Sequence, residues 1–149
     1  MSSLQYRCDT STIGDVHAHL TRCDGDFTPP LSARLDLGGY AAKLAERAAR
    51  FEAWDGGQLV GLVAAYVTPG APDAFISNVS VVSELRGEGA AAALVADCID
   101  CARGLGASTL TLEVATADRA AGRFYEKLGF TDRDPEPADR PTTTLTLDL

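Results

Sequence analysis

The run Arg86-Gly87-Glu88-Gly89-Ala90-Ala91 lies between a β-branched segment that ends at Val82 and an apolar helical stripe that begins at Ala91. A turn placed there can hold an anion. The first N–H groups of a helix have no acceptor within the helix, and the helix dipole adds partial positive charge at the same end. Gly87 and Gly89, with no Cβ, let a phosphate come close to the backbone. The same two glycines also suit a plain strand-to-helix turn, so spacing alone leaves both readings open. Two common phosphate loops are excluded. A P-loop closes on Gly-Lys-Ser/Thr and a dinucleotide fingerprint on a third glycine, whereas Ala90-Ala91-Ala92 stands at those positions.

Arg86, Gly89 and Ala91, preceded by a strand, resemble the coenzyme A signature Gln/Arg-x-x-Gly-x-Gly/Ala of the GNAT family of N-acetyltransferases. A second segment, Ala121-Gly122-Arg123-Phe124-Tyr125-Glu126-Lys127-Leu128-Gly129-Phe130, is similar to that family's A-x-x-[LF]-Y-E-K-x-G-F stretch. Two motifs in the right order are far more specific than either alone. The resemblance covers Phe51 to Phe130 well; the first fifty residues match only as a strand and two helices, the part that shapes the acceptor site in the family.

The resemblance implies acetyl-CoA as cosubstrate, with no metal. Its pyrophosphate would rest on Arg86, Gly87, Glu88, Gly89, Ala90 and Ala91, and its pantetheine arm would run beside Val79, Val81 and Val82 like an extra strand. The amide near Val81 would polarise the thioester carbonyl. An acceptor amine would then attack directly. The leaving thiolate, with a pKa of ~8.5 in its cysteine analogue, benefits from a proton donor, and the resemblance puts Tyr125 in that role. An ammonium acceptor must first lose a proton. Glu113 resembles the strand glutamate that serves as base in ribosomal-protein N-terminal acetyltransferases, while a chain of waters, or a surface charge paired with Arg119 or Arg123, are the other readings of this region. Asn78 and Ser80 could hold a water or the acceptor. One departure stands out: the family often has Asn where this chain has Asp118, which accepts hydrogen bonds but cannot donate when ionised, so it reads either as a cofactor contact or as a helix cap. Glu88 is an acid in the phosphate loop and is expected to face solvent.

These residues need elements to hold them. Leu4 to Cys8 reads as a strand. Thr12, with Asp15 three positions on, reads as a capping-box start to a helix that ends before Pro29. Asp26-Phe27-Thr28-Pro29-Pro30-Leu31 is a loop, and Phe27 in it is a candidate for the acceptor pocket. Beyond Asp36, Ala41, Leu44, Ala45 and Ala48 share one helical face. Phe51 to Trp54 and Gln58 to Val67 flank Asp55-Gly56-Gly57 as a hairpin, and Ala74 to Val82 follows as a third strand. The stripe Ala91, Leu94, Val95, Cys98, Ile99, Ala102 predicts a helix closed by Gly104 and Gly106. Ser108 to Ala115 is a strand, Ala121 to Leu128 a helix, and Thr142 to Leu149 a last strand after a turn over residues 132–141. The order predicts an α+β class: a mixed, mostly antiparallel central sheet flanked by helices, with one right-handed strand-helix-strand crossover between the Val82 strand and Thr109.

With 149 residues, 46% hydrophobic and 23% charged, the chain reads as one domain over residues 1–149. A fold of this size removes roughly 68–70% of the unfolded surface from water, so it needs no disulfide staples. The net charge is -8, and no basic cluster tracks a phosphate backbone, which excludes nucleic acid as partner. Met1 to Tyr6 lacks a signal pattern and no apolar run reaches the ~18 residues of a membrane span, so a cytoplasmic protein without membrane contact is expected. Cys98 and Cys101 fall in a helical stripe and read, with Cys8 and Cys23, as reduced thiols. His17 and His19, two apart, cannot share a helical face and read as ordinary side chains. The expected partner is a small-molecule amine. Protein N-terminal acetylation and a noncatalytic acyl-CoA-binding module are the alternatives, and a homodimer is left open.

Overall fold

The computed structural model describes residues 4–27, 29–134 and 139–149. Residues 1–3, Thr28 of the expected proline loop and residues 135–138 of the expected turn lie outside them. The elements are β1 (Gln5–Cys8), α1 (Ile13–Cys23), α2 (Leu37–Arg47), β2 (Ala49–Asp55), β3 (Gln58–Tyr66), β4 (Asp73–Val81), α3 (Ala90–Gly104), β5 (Thr109–Ala115), α4 (Arg119–Lys127), β6 (Thr131–Asp132) and β7 (Thr142–Asp148). The strands form one sheet in the order β1-β2-β3-β4-β5-β7-β6. Among the described residues only β4 and β5 run parallel, joined by the crossover through α3. The mixed sheet expected from the sequence is thus present, and the two-residue β6, paired with β7, is an element the sequence reading did not include.

Local signals set the helix starts. Thr12 Oγ1 accepts from the Asp15 N–H at 3.1 Å and Asp15 Oδ2 accepts from the Thr12 N–H at 2.9 Å, which completes the capping box. Asp36 caps α2 through the Gly39 N–H at 3.1 Å. On one side of the sheet Val16, Leu20, Ala41 and Leu44 cover Trp54, Leu59, Leu62 and Ala64. On the other, Leu94, Val95, Cys98 and Ala102 of α3 cover Ala53, Val63 and Ala65. Successive β3 residues therefore feed opposite cores, and the sheet is buried on both faces at its centre. Cys98 is fully buried in the second core, which pushes its thiol up to about 12 and makes it a packing residue. Among the described residues no helix is long and apolar enough to cross a membrane.

Two irregularities in β4 prepare the site. Its pairing with β3 steps from Ala65↔Ile76 to Ala64↔Asn78, which leaves Ser77 as a bulge. Without the bulge, Ile76, Asn78 and Ser80 would share one face. With it, Ile76 stays in the α3 core opposite Ala65, while Asn78 and Ser80 turn with Ala64 towards α1. The pairing of β4 with β5 stops at Ile76↔Leu112. Beyond that point the two strands separate, and among the described residues the second half of β4 has no strand partner on that side.

Candidate active site

The gap between the separated strands opens into a cleft of about 450 Å³. One wall carries Asn78, Val79, Ser80 and Val81 from β4; the other carries Glu113 from β5 with Asp118 and Tyr125 at α4. Phe27 closes the α1 side and touches both cores, while Arg86 and Ala91 stand at the far end. Of the residues singled out from the sequence, these ten share the cleft, and Gly87, Glu88, Gly89 and Ala90 form the turn directly beyond it.

The direction of the backbone amides follows from pairing. Val82 N–H donates to the Val60 carbonyl at 3.0 Å, so it points at β3. Amides alternate along a strand; Ser80 therefore also points at β3, and the N–H groups of Val79 and Val81 point into the gap. That pattern corrects one expectation. Val82 is buried and its amide is already used, so it has no free N–H to offer in the gap, into which the Val79 and Val81 amides point.

At the far end, Gly89 is the N-cap of α3 with φ +82°, and Gly87 has φ +81°. Both values favour glycine. A Cβ added at either would meet no protein atom within 4 Å, so the space over the turn is open for a ligand. The first N–H groups of α3 face it unpaired, as helix geometry requires. The Glu88 N–H is partly occupied, at 3.3 Å from the Leu85 carbonyl, and its side chain is exposed as expected. Arg86 Nη2 forms an ion pair with Asp26 Oδ2 at 2.9 Å, which ties the turn after α1 to the α3 loop across the mouth of the cleft.

Tyr125 is 9% exposed and packs edge-on against Phe124 and Phe130, with ring centroids 5.1 and 5.9 Å away. Burial, with the Asp118 carboxylate second, raises its pKa far above the ordinary phenol value. The hydroxyl therefore holds its proton at any physiological pH. Asp118 caps α4, its Oδ1 accepting from the Ala121 N–H at 3.1 Å. Of the two readings of Asp118, the structure shows the cap, and the residue also lines the cleft. Glu113 is exposed in the cleft and forms no ion pair with Arg119 or Arg123 among the described residues.

His19, read from the sequence as an ordinary side chain, is fully buried behind β4. Its Nε2 lies 2.9 Å from Ser80 Oγ, which donates to Asn78 Oδ1 at 2.8 Å. A polar residue on the apolar stripe of α1 with Val16, Leu20 and Cys23 was the signal that could have found it. His17, by contrast, is exposed.

Residues 15–130 match the model of the acetyltransferase (GNAT) family. A 56-residue stretch is 38% identical to N-alpha-acetyltransferase 30 of Schizosaccharomyces pombe; it covers 38% of this chain and 37% of that relative, so the match spans little more than a third of its length. The fold is similar to that of the ribosomal-protein-S18-alanine N-acetyltransferase of Escherichia coli, with TM-score 0.74 and 22% identity over 99% of this chain and 94% of the other. It is also similar to a Bacillus subtilis acetyltransferase solved in complex with CoA, with TM-score 0.71 and 22% identity over 99% of both chains.

Proposed function

The chain belongs to the acetyltransferase (GNAT) family, and from that premise we propose that it moves an acetyl group from acetyl-CoA to the primary amine of a small molecule. The observation that carries the reading is the strand gap itself: two outward amides, a protonated phenol and the open N-terminus of a helix line one cleft. The residues fit the cosubstrate. The Val79 and Val81 amides suit an extended pantetheine arm, and the bare turn at Gly87 and Gly89 suits a pyrophosphate.

Acetyl-CoA supplies the activated acetyl group. The chain's own residues do the rest. The Val81 N–H donates to the thioester carbonyl oxygen and favours the charge that develops there. Glu113, exposed on the facing strand, takes a proton from the acceptor ammonium directly or through water. Tyr125 Oη gives its proton to the departing thiolate sulfur. Phe27 closes the α1 side of the cleft, which is left for the acceptor, and that enclosure supports a small acceptor.

A second reading, acetylation of a polypeptide α-amine, is favoured by the match to an N-alpha-acetyltransferase and by Glu113. One experiment separates the two. The protein is mixed with acetyl-CoA and either free amino acids and amino sugars or short peptides, and thiol release is followed with the acetylated product identified by mass. Transfer to small amines at higher kcat/KM than to any peptide is expected. Preference for peptides overturns the first reading; acetyl-CoA binding with no transfer to any amine overturns both and leaves a binding module.

A further inference from the structure

Asn78, Ser80 and His19 form a chain that runs from the cleft wall to the interior, and it has a direction. Ser80 has one hydroxyl proton, and it is given to Asn78 Oδ1. The contact between Ser80 Oγ and His19 Nε2 then requires the ring to donate. Burial first, and Arg22 second, lower the ring's pKa to about 4, an effect that the Leu59 and Ser80 backbones only moderate, so the imidazole is neutral with a single N–H. That proton belongs on Nε2. Nδ1 is left as a buried acceptor with no hydrogen-bond partner. The opposite direction would bury an unpartnered N–H, the rarer defect.

The consequence appears at the cleft. With Oδ1 held by Ser80, the Asn78 NH₂ is the group left to donate: one N–H serves the Tyr40 hydroxyl oxygen, and the second is free for a ligand in the cleft that Asn78 lines. The Tyr40 hydroxyl itself donates to the Ser77 carbonyl at 3.1 Å and lies 2.6 Å from Ser77 Oγ. Arg34 also lines the cleft, and its charge reaches Tyr40. A donor so placed, with a cation nearby, suits an oxygen close to the reacting nitrogen and offers nothing to a bare alkylamine. Resting on the acetyltransferase reading above, we propose that His19 is a positioning residue which, through Ser80, fixes Asn78 to donate to the acceptor, and that the acceptor class is an amine with a carbonyl or carboxylate oxygen on the neighbouring carbon.

The test uses the full chain with acetyl-CoA and four probes, L-alaninamide, L-alanine, an alanine-initiated tripeptide and sec-butylamine, with kcat/KM compared per free amine. Alaninamide or alanine should exceed sec-butylamine by at least about tenfold, the cost of a buried donor left unpaired. The tripeptide shows whether the oxygen is read in a peptide or in a small molecule. His19→Leu and the milder Ser80→Ala should each collapse that ratio, mainly through acceptor KM, with acetyl-CoA affinity unmoved. His19→Gln, whose amide can still donate to Ser80, should restore it. Nitrogen-15 NMR of the ring should show the Nε2–H form without any turnover. Equal use of alaninamide and sec-butylamine, a ratio unmoved by both disrupting variants, or the Nδ1–H form would overturn the inference while leaving acetyl transfer intact. Absence of transfer to every amine contradicts the acetyltransferase reading, and the inference with it.

Discussion

Tyr125→Phe lowers kcat by about 100-fold or more, the usual yield of a positioned proton donor, and leaves acetyl-CoA affinity unchanged. The ring remains in place, because its edge-on contacts with Phe124 and Phe130 need no hydroxyl. Only the proton delivered to the thiolate is lost. The sign of the pH effect follows from the raised phenol pKa. A group whose pKa is raised stays protonated below the new value, so no alkaline fall in the wild-type rate is assignable to Tyr125 up to about pH 10, the ordinary phenol value. Steady-state thiol release from pH 6 to 10, with an acetyl-CoA titration of both proteins, checks this. A variant with wild-type kcat would remove Tyr125 from the mechanism.

Glu52→Ala destabilises the fold by about 3–5 kcal/mol, the range for breaking a buried charge pair. Glu52 is fully buried on β2, away from the cleft. It accepts from the Thr10 N–H at 3.2 Å, the Ser11 N–H at 2.9 Å and Trp54 Nε1 at 3.2 Å, and it faces Arg50 Nε at 3.6 Å. Arg50 is 7% exposed and ties the end of α2 to Ser11 through the Ala45 carbonyl at 2.8 Å and Ser11 Oγ at 2.8 Å. Removing the carboxylate leaves the Thr10, Ser11 and Trp54 donors without their acceptor and takes from the Arg50 guanidinium the nearer of its two carboxylates, the other being Asp9 at 3.9 Å. At about 2–4 °C of Tm per kcal/mol, the loss is at least several degrees. Burial alone would raise the pKa of Glu52, but the hydrogen bonds from Ser11, Thr10 and Trp54 prevail and hold it below the ordinary value. A depressed carboxylate stabilises fully above its unfolded pKa, and the contribution disappears as pH falls through the lower folded value. Urea unfolding of both proteins from pH 7 to 3 should show the gap narrowing only at the acid end. A constant gap down to pH 3 would contradict the charge-based account.

Three of the helices were legible from local marks: the Thr12–Asp15 box, the shared face of Ala41, Leu44, Ala45 and Ala48, and the apolar stripe of α3 with its closing Gly106. The candidate cleft was legible where motif residues are close in sequence, as at Arg86–Ala91 and at Tyr125. What stayed hidden depends on pairing across the chain. Ile76, Asn78 and Ser80 alternate regularly in the sequence, and only the bulge at Ser77 sends the last two to the α1 side. Val82 looks like one more strand valine until its amide is found on Val60. His19 gains its role only from Ser80, 61 residues away. Glu52 and Arg50 resemble exposed charges of a hairpin strand, yet the loop from Thr10 to Ser11 folds over them.

Thermal unfolding with saturating acetyl-CoA, in wild type and in Gly89→Val, tests most directly whether acetyl-CoA sits on the α3 turn. A Cβ at Gly89 meets no protein atom, so beyond the strain of its positive φ the added side chain obstructs only what arrives from outside. At ~100 times Kd the ligand adds about 2.7 kcal/mol, several degrees for a chain of this size. The account predicts that rise in wild type and its loss in Gly89→Val, each measured against its own ligand-free Tm. An equal rise in both proteins, or none in wild type, would contradict it.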